Sequence, residues 1–225
     1  EGQQKGAEIC KKHGIDGIIV IGGDGSFKGA QKLAALGINT IGLPGTIDLD
    51  IACTEYTIGF DTAVNTAMEA IDKVRDTSTS HERCSIIEVM GRNAGWLTAA
   101  SALSRVNGGE GPNLIYLCEP AFDTEQFLKD VQEKLEQKDS VLVAISEGIH
   151  DSEGRYVSEQ VQSDAQDQFG HSYIAGSAKV LEELVRDRIG CKVRSIELNL
   201  MQRCAAHLAS ATDLEESRML GMKAC

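Results

Sequence analysis

The segment Ile15-Asp16-Gly17-Ile18-Ile19-Val20-Ile21-Gly22-Gly23-Asp24-Gly25-Ser26 decides the fold of this chain. Its near-continuous apolar part, Ile15–Ile21, is typical of a buried parallel strand. The glycine-rich turn ends at Ser26, which is predicted to cap a helix over Phe27–Leu36. A second apolar strand follows at Ile38–Leu43. A strand, a helix and a second strand form a βαβ unit, and this unit predicts a parallel sheet.

The alternation of strands and helices continues along the rest of the chain. Further helices are predicted at Lys5–His13, Thr62–Arg75, Trp96–Arg105, Thr124–Gln137 and Ala178–Arg188, and further strands at Cys84–Val89, Leu114–Leu117, Ser140–Ile145 and Val193–Leu198. Asp76–Ser80 and His150–Ser172 are predicted to be loops, and Asp213 is predicted to cap the last helix. This order of elements predicts a doubly wound α/β fold with mostly parallel sheets.

Composition excludes several classes of protein. The chain has 225 residues, 42% of them hydrophobic and 25% charged, as in a globular protein. Its net charge of −12 argues against a nucleic-acid partner. No apolar run is long enough to span a bilayer, and no signal-peptide pattern is present. The seven cysteines are scattered without a CxxC spacing, which predicts free thiols in a reducing cytoplasm and argues against zinc.

The glycine-rich turn Gly22–Ser26 has the composition of a phosphate-binding loop. Glycines let backbone N–H groups approach a phosphate, and the N-terminus of the following helix favours an anion. Asp24 cannot contact a phosphate directly, but it can hold Mg²⁺ that bridges phosphates. The alternative is a tight turn that only starts a helix.

A second candidate loop, Leu43–Asp50, follows the second strand, which Pro44 and Gly45 interrupt. If its backbone is extended, Thr46, Asp48 and Asp50 point to one side. Such a face can take a proton from a substrate hydroxyl and help hold a metal ion. The alternative is a solvated acidic turn.

The candidate polar residues recur where predicted strands end. Gly22–Ser26, Thr46–Asp50, Met90–Arg92 and Glu147 each follow a strand, and Arg194 and Gln202-Arg203 flank a fifth strand. Ligands of doubly wound sheets bind at the carboxyl ends of the strands. The sequence therefore predicts an active site at this edge.

An ordered series of motifs across nearly the whole chain resembles the 6-phosphofructokinases. The series is Gly22-Gly23-Asp24-Gly25-Ser26, Pro44-Gly45-Thr46-Ile47-Asp48-Leu49-Asp50, Tyr56-Thr57-Ile58-Gly59-Phe60-Asp61-Thr62-Ala63, Arg75-Asp76-Thr77, Glu82-Arg83, Glu88-Val89-Met90-Gly91-Arg92, Ser146-Glu147-Gly148 and Gln202-Arg203. The resemblance implies a Rossmann-like architecture of two similar α/β lobes with the active site between them. Residues 1–60 then belong to the nucleotide-binding lobe and residues 61–225 to the substrate-binding lobe, with a chain able to cross back between the lobes.

The resemblance also implies an activity, the phosphorylation of fructose 6-phosphate to fructose 1,6-bisphosphate by ATP and Mg²⁺ in glycolysis. Asp48 matches the general base that takes the proton of the sugar 1-hydroxyl. Thr46 matches the residue that positions the substrate and the phosphoryl group, and Arg92 the residue that neutralises charge on the phosphoryl oxygens. These three residues form the implied catalytic set.

Binding residues are implied in the same way. Arg83, Arg194 and Arg203 match positions that clamp the 6-phosphate and neighbouring groups, and Glu147 matches an acceptor for a sugar hydroxyl. Each arginine taken alone is typical of a surface ion pair. The implied substrate-binding set is Thr46, Ile47, Asp48, Arg83, Met90, Gly91, Arg92, Glu147, Arg194, Gln202 and Arg203, and the implied cofactor-binding set is Gly23, Asp24, Gly25 and Ser26, with Asp24 as the magnesium ligand.

The chain departs from the family pattern at three places. Leu49 stands where the family usually has Asn, and Asn199-Leu200 stands where it usually has Gly-His. The N-terminal strand of the family and its first glycine-rich turn are not matched, and the chain opens within a predicted helix. We therefore expect a fragment that is inactive or unstable alone.

The phosphoryl donor and the partners follow from the resemblance. Gly25 and Gly45 are small residues at positions where larger ones accompany pyrophosphate, so they favour ATP. The downstream half resembles a branch that also holds pyrophosphate-dependent members. Two competing hypotheses are an NAD or lipid kinase relative with the same glycine turn and a non-catalytic sugar-phosphate-binding regulatory subunit. The family also implies a homo-oligomer, a dimer or a tetramer, in which a neighbour supplies Arg83 and Arg194.

Overall fold

The computed structural model describes residues 2–160 and 176–225. The helices are α1 (Gly2–Lys12), α2 (Asp24–Ala35), α3 (Phe60–Ser80), α4 (Trp96–Ala100), α5 (Thr124–Gln137), α6 (Ser177–Arg188) and α7 (Ala211–Ala224). The strands are β1 (Gly17–Gly22), β2 (Asn39–Pro44), β3 (Cys84–Val89), β4 (Leu114–Tyr116), β5 (Val141–Ser146) and β6 (Val193–Glu197). Short 3₁₀ helices lie at Ser101–Gly108, Val157–Gln160, Asn199–Arg203 and Ala206–Leu208. Of the predicted loop His150–Ser172, residues 161–172 lie outside the described residues.

The chain divides into two compact units. The first unit contains Glu1–Asp61 and Ala209–Cys225, and the second contains Thr62–Leu208. Both units have the predicted α/β composition, and every strand pair within their two sheets is parallel. In the described part of the chain, no helix has both the length and the apolar character that a membrane crossing requires.

The first unit contains the parallel pair β1–β2. Gly22 lies opposite Pro44, so the loops that follow the two strands leave the sheet at the same level. One face of this sheet packs against α1 and α2 around Ala7, Cys10 and Ile38. The other face is open at β1, where Ile21 is 64% exposed, whereas its partner Leu43 in β2 is buried and α7 contacts that strand. The prediction of a fully buried first strand is therefore wrong for this unit, because in the described part of the chain Ile19 and Ile21 of β1 remain exposed on this face.

The second unit contains a four-stranded sheet in the order β4-β5-β3-β6. All residues of the central strands β3 and β5 are buried. The core joins this sheet to α5 and α6 through large side chains that are fully inaccessible, including Phe127, Ile145 and Leu181. Such burial fixes the loops that follow β3 and β5 on a rigid support.

Helix α2 begins earlier than predicted. It starts at Asp24, and Gly23 is its N-cap residue with no side-chain cap. Ser26 therefore lies within the helix, and the prediction that it caps the helix is wrong. The early start leaves the backbone N–H groups of the first turn at the end of β1.

Other boundaries also differ from the sequence prediction, and the helix predicted at Trp96–Arg105 is an α-helix only as far as Ala100. Asp76–Ser80 is helical, because the Ser78 hydroxyl donates to the Val74 carbonyl oxygen (2.7 Å) and also contacts the Ser85 hydroxyl in the core. Helix α7 is capped by Ser210, whose Oγ accepts from the Asp213 N–H at 3.1 Å. Asp213 therefore does not cap this helix.

Candidate active site

The glycine turn at the end of β1 lies against the candidate catalytic loop. A Cβ atom on Gly23 would lie 3.4 Å from the Thr46 Cβ atom, within van der Waals contact, so the turn and the loop are adjacent. A Cβ atom on Gly22 would overlap the Ser26 side chain, which excludes other residues there. Around Gly25 there is open space for a side chain. The first unit thus brings the implied cofactor-binding residues and Thr46 together.

Asp24 lies in the first turn of α2 with an accessible carboxylate. Its Oδ2 atom is 2.6 Å from the Lys28 ammonium, and both side chains are about two thirds exposed (64% and 66%). An exposed pair of this kind is weak, so a divalent cation can displace the lysine. Among the described residues, no group of three His, Cys, Asp or Glu side chains could hold a metal. One carboxylate fits Mg²⁺ when phosphate oxygens and water complete its ligands.

The loop after β2 is folded by a hydrogen bond within the loop. The Thr46 hydroxyl oxygen accepts from the Asp48 backbone N–H at 3.3 Å. Leu49 then has a positive φ of 55°, which ends the extended conformation before Asp50. The predicted alternation, with Thr46, Asp48 and Asp50 on one side, therefore does not extend to Asp50. Thr46 and Asp48 are partly buried, whereas Asp50 is exposed.

Residues 57–59 support this loop through hydrogen bonds. The buried Thr57 hydroxyl donates to the Thr46 carbonyl oxygen at 2.6 Å. The Ile58 N–H donates to the Pro44 carbonyl oxygen at 2.9 Å. The Gly59 N–H donates to the Asp213 carboxylate at 2.7 Å, which connects the loop to α7. Ile47 packs beside Gly59, so it anchors the loop and does not extend into solvent.

In the second unit, two predicted site residues hold the backbone of the loop that follows β3. The Met90 N–H donates to the Gln202 side-chain oxygen at 3.1 Å. The Gly91 N–H donates to a carboxylate oxygen of Glu147 at 3.2 Å. The Gln202 side chain is buried, and its Nε2 donor has no partner in the described part of the chain.

Two glycines allow the Arg92 loop to approach β5. Gly91 has a φ of 132°, a conformation that favours glycine. A Cβ atom on Gly148 would overlap the Arg92 carbonyl oxygen. Arg92 is partly exposed, and Arg203 is exposed at the end of its 3₁₀ helix. The carboxyl-end set, defined as Met90, Gly91, Arg92, Glu147, Gln202 and Arg203, is therefore assembled within one unit.

The two remaining predicted arginines lie elsewhere. Arg83 immediately precedes β3, and Arg194 is the second residue of the neighbouring strand β6. Both line a cavity of about 340 Å³ together with Arg186 and Lys192. We call these four residues the four-cation pocket. Its described lining contains no carboxylate side chain, so it is suited to an anion.

The four-cation pocket and the carboxyl-end set lie at opposite ends of the sheet in the second unit. Arg83 precedes the first residue of β3, whereas Met90 follows the last. At about 3.3 Å per residue, the strand separates them by roughly 20 Å. This distance exceeds the length of a small sugar phosphate. The prediction that places Arg194 beside the strand ends with Gln202 and Arg203 is therefore wrong within a single chain.

Several functional contacts have no clear signal in the sequence. Thr57 and Gly148 lie within the family motifs, but their contacts with Thr46 and Arg92 arise only in the fold. Arg186 and Lys192 enter the four-cation pocket because α6 ends beside β6. Glu88 is buried and accepts from the N–H groups of Gly176 and Ala178 at the start of α6 (3.2 and 2.8 Å).

The structure explains one residue of the unusual Asn199-Leu200 pair. Asn199 has a positive φ of 41°, which Asn tolerates better than most residues. It can therefore replace a glycine at this turn. Leu200 is 64% exposed and supplies no polar group. Nothing in the described structure explains an exposed leucine at this position.

Comparison with known proteins identifies related sequences and folds. A family model described as phosphofructokinase matches residues 1–225. An ATP-dependent 6-phosphofructokinase from Clostridium novyi is 44% identical over 88% of this chain. One from Clostridium botulinum is 43% identical over 85% of this chain. The chain spans 61% and 60% of the lengths of these two relatives.

Solved structures show the same relationship. The pyrophosphate-dependent phosphofructokinase from Nitrosospira multiformis matches with a TM-score of 0.76 and 28% identity, over 97% of this chain and 53% of that one. The phosphofructokinase from Saccharomyces cerevisiae matches with a TM-score of 0.67 and 27% identity, over 90% of this chain and 27% of that one. The fold of this chain therefore agrees with that of solved phosphofructokinases over most of its length.

Proposed function

The chain belongs to the phosphofructokinase family, and on that basis we propose that it transfers the γ-phosphoryl group of ATP to the 1-hydroxyl of fructose 6-phosphate. The products are fructose 1,6-bisphosphate and ADP. The observation that carries the proposal is the contact between the glycine turn and the Thr46–Asp48 loop at the ends of β1 and β2. It supports a donor phosphate and a proton acceptor at neighbouring positions.

Asp48 is the general base of the proposed reaction. Its carboxylate takes the proton of the 1-hydroxyl while that oxygen bonds to the γ-phosphorus and the bond to ADP breaks. The hydrogen bond from the Asp48 N–H to Thr46 Oγ1 fixes the loop that carries this carboxylate. Thr46 and Ile47 position the sugar, Ile47 through its packing beside Gly59. Support from Thr57 keeps the loop rigid during turnover.

Arg92 stabilises the charge that develops on the phosphoryl oxygens. Its backbone lies against Gly148, and the preceding N–H groups are held by Gln202 and Glu147. The interactions from these residues place the guanidinium without consuming its donors. Arg203 and Glu147 then bind sugar hydroxyls, and Gln202 contributes to the substrate site by holding the Met90 N–H. This arrangement supports the role that family resemblance assigns to the Met90–Arg92 loop.

Arg83 and Arg194 bind the 6-phosphate in the proposal. Their shared cavity supports this role, since two guanidinium groups there meet no carboxylate among the described lining residues. The distance from the carboxyl-end set requires that one substrate molecule use these two residues from a second copy of the chain. We therefore propose a homo-oligomer, at least a dimer.

Asp24 would hold Mg²⁺ beside the donor phosphates, and the ion would supply neutralisation of phosphate charge there. Gly23, Gly25 and Ser26 at the start of α2 contact the donor phosphates through backbone N–H groups. The open space at Gly25 leaves room for an adenosine-bearing chain. The names of the relatives at 43–44% identity also favour ATP. We place the reaction in the cytoplasm because all seven cysteines are free thiols.

The experiment that tests this proposal measures fructose 1,6-bisphosphate formation with ATP or pyrophosphate as donor. It uses the protein that carries this chain at its full natural length, with Mg²⁺ present. Turnover with ATP and none with pyrophosphate is expected. Turnover with pyrophosphate alone would show that the solved relatives named pyrophosphate-dependent are the better guide. Binding of fructose 6-phosphate without turnover would indicate a regulatory subunit.

A further inference from the structure

The four-cation pocket contains more positive charge than Arg83 and Arg194 supply. Arg186, in the last turn of α6, and Lys192, in the segment before β6, also line its cavity of about 340 Å³. Their inclusion depends on the β3–β6 pairing, in which the Cys84 N–H donates to the Lys192 carbonyl oxygen at 2.9 Å. The pocket is therefore a feature of the folded sheet edge, built from three separate parts of the chain.

We propose that Arg186 and Lys192 are additional phosphate-binding residues of this pocket, which thus receives the phosphate monoester dianion of the substrate with four cations. The proposal rests on the function proposed above and extends it to two residues that the family resemblance does not mark. A dianion with three accepting oxygens can receive hydrogen bonds from several cationic donors at once.

A buried carboxylate holds Arg186 in place. Glu182 on α6 is 3% exposed and accepts from the Arg186 guanidinium. It also accepts from the Ser195 N–H at 3.0 Å and from the Ser195 hydroxyl, so it connects α6 to the strand that carries Arg194. Burial raises the pKa of Glu182, but the hydrogen bonds from Ser195 and Lys179 lower it below its usual value overall. Glu182 therefore stays ionised and orients Arg186 beside Arg194.

Donors remain for a ligand after these internal contacts. The Arg186 contact with Glu182 uses the Nη2 group, and a guanidinium has five N–H donors. Lys192 donates to the His81 carbonyl oxygen at 3.5 Å and has three N–H donors. In the described part of the chain, no ion pair involves Arg83, Lys192 or Arg194. The pocket therefore holds positive charge that internal carboxylates do not neutralise.

A different explanation for Arg186 lies within its own helix. Basic residues in the last turn stabilise a helix through its dipole, and Arg188 lies in the same turn. Arg188 does not line the pocket and pairs instead with Glu125 at 3.0 Å. The two arginines thus share the helix-end position but differ in access to the pocket. Arg188 is therefore the matched control.

The test measures binding of inorganic phosphate to the full chain through the backbone amide NMR signals of residues 190–194. We expect Arg186→Gln and Lys192→Met each to weaken phosphate binding by about tenfold. Arg188→Gln is expected to leave it unchanged within about twofold, since its charge lies outside the pocket. Arg186→Lys keeps the charge but loses the planar guanidinium group. Its phosphate affinity is expected to lie between those of Arg186→Gln and Arg188→Gln. Thermal unfolding of each variant verifies that it is folded.

The outcomes separate this inference from the proposed function. Loss of binding in Arg83→Gln and Arg194→Gln, with unchanged binding in Arg186→Gln and Lys192→Met, overturns the inference and leaves the proposed function standing. An equal loss in Arg188→Gln also overturns it, because the effect then comes from helix charge. Unchanged binding in all of the variants overturns both the inference and the 6-phosphate assignment. Lys192 lies in an exposed segment outside any helix, so Lys192→Met keeps the test decisive if Arg186→Gln does not fold.

Discussion

At the scale of single residues, Leu49 is the most unusual feature of the candidate catalytic loop. It has a φ of 55°, a conformation that side chains with a Cβ atom rarely adopt. The neighbouring Thr46 and Asp48 are joined by a hydrogen bond that fixes the turn. The family resemblance indicates Asn at this position, and Asn tolerates this conformation best after glycine. The loop therefore carries a local conformational cost.

The prediction for this residue is that Leu49→Asn stabilises the chain. The expected increase in the free energy of unfolding is about 1 kcal/mol, because the left-handed conformation costs less for Asn. Urea unfolding of the variant measures the change. Leu49→Ala is the control, since alanine loses the side chain but keeps the conformational cost. A decrease in stability for Leu49→Asn would show that packing of Leu49 outweighs its backbone strain.

At the scale of elements, one buried carboxyl group joins β3 to the start of α6, in addition to the apolar core between them. Glu88 is 4% exposed and accepts from two N–H groups at the start of α6. Burial is the main cause that raises its pKa from 4.5 to about 7, with smaller contributions from Glu197 and Glu147. The N–H donors act in the opposite direction. The group therefore titrates near neutral pH.

Glu88 predicts a pH dependence of stability. Between pH 4.5 and 7 the folded chain holds a proton on Glu88 that the unfolded chain has released. The free energy of unfolding therefore falls as the pH rises through this range, in total by on the order of 3 kcal/mol. Glu88→Gln, which cannot ionise, is expected to remove this part of the slope. Urea unfolding at several pH values measures it for both proteins.

The control for this prediction is Glu183→Gln. Glu183 lies on the same helix α6 and is not part of its buried face, so its substitution is expected to keep the slope of the unaltered chain. Parallel pH profiles for the unaltered chain and Glu88→Gln would contradict the role assigned to Glu88. The difference between the two profiles is the relevant quantity, because other groups of the chain also titrate.

The sequence predicted the order and type of nearly all elements, since their apolar periodicity is strong. It predicted β3 and α5 with the bounds that the structure has. The predicted element boundaries were wrong where tertiary contacts determine them. For example, α3 extends through Ser78, whose hydroxyl contacts that of Ser85 in the next strand. The open face of β1 could not be predicted either, because an apolar run does not reveal what covers each face.

The candidate site was predictable at strand ends and unpredictable at contacts between distant segments. The motifs marked Thr46, Asp48 and Met90–Arg92 at the ends of β2 and β3. They could not show that Gln202 and Glu147 hold the Met90 and Gly91 N–H groups. Residues far apart in the chain make these contacts, so they depend on the strand order.

At the scale of the whole molecule, the separation of Arg194 from Arg92 predicts complementation between inactive variants. Arg92→Gln and Arg194→Gln are each expected to lose most activity. A hybrid dimer contains one chain of each variant. The site that takes Arg92 from the Arg194→Gln chain and Arg194 from the Arg92→Gln chain has both arginines, and the other site has neither. An equal mixture is therefore expected to recover roughly a quarter of the unaltered activity per chain, since half of the dimers are hybrids. The rate of fructose 1,6-bisphosphate formation after joint refolding measures the recovery.

The control mixes Arg92→Gln with Glu147→Gln. Both residues belong to the carboxyl-end set of one chain, so each site of the hybrid retains a defect. No recovery is expected in this mixture. Equal recovery in both mixtures, or in neither, would contradict the proposal that each site takes Arg194 from a second copy.

The proposed phosphoryl transfer depends above all on Asp48 as the general base. The most direct measurement is the rate of fructose 1,6-bisphosphate formation from ATP by Asp48→Asn in the protein at its full natural length. Glu55→Gln is the control, an exposed acid-to-amide change in the same unit. We predict that Asp48→Asn lowers kcat by about a thousandfold with little change in the KM for fructose 6-phosphate, and that Glu55→Gln has no effect. An Asp48→Asn protein with nearly unaltered kcat would contradict the assignment of Asp48 as the base.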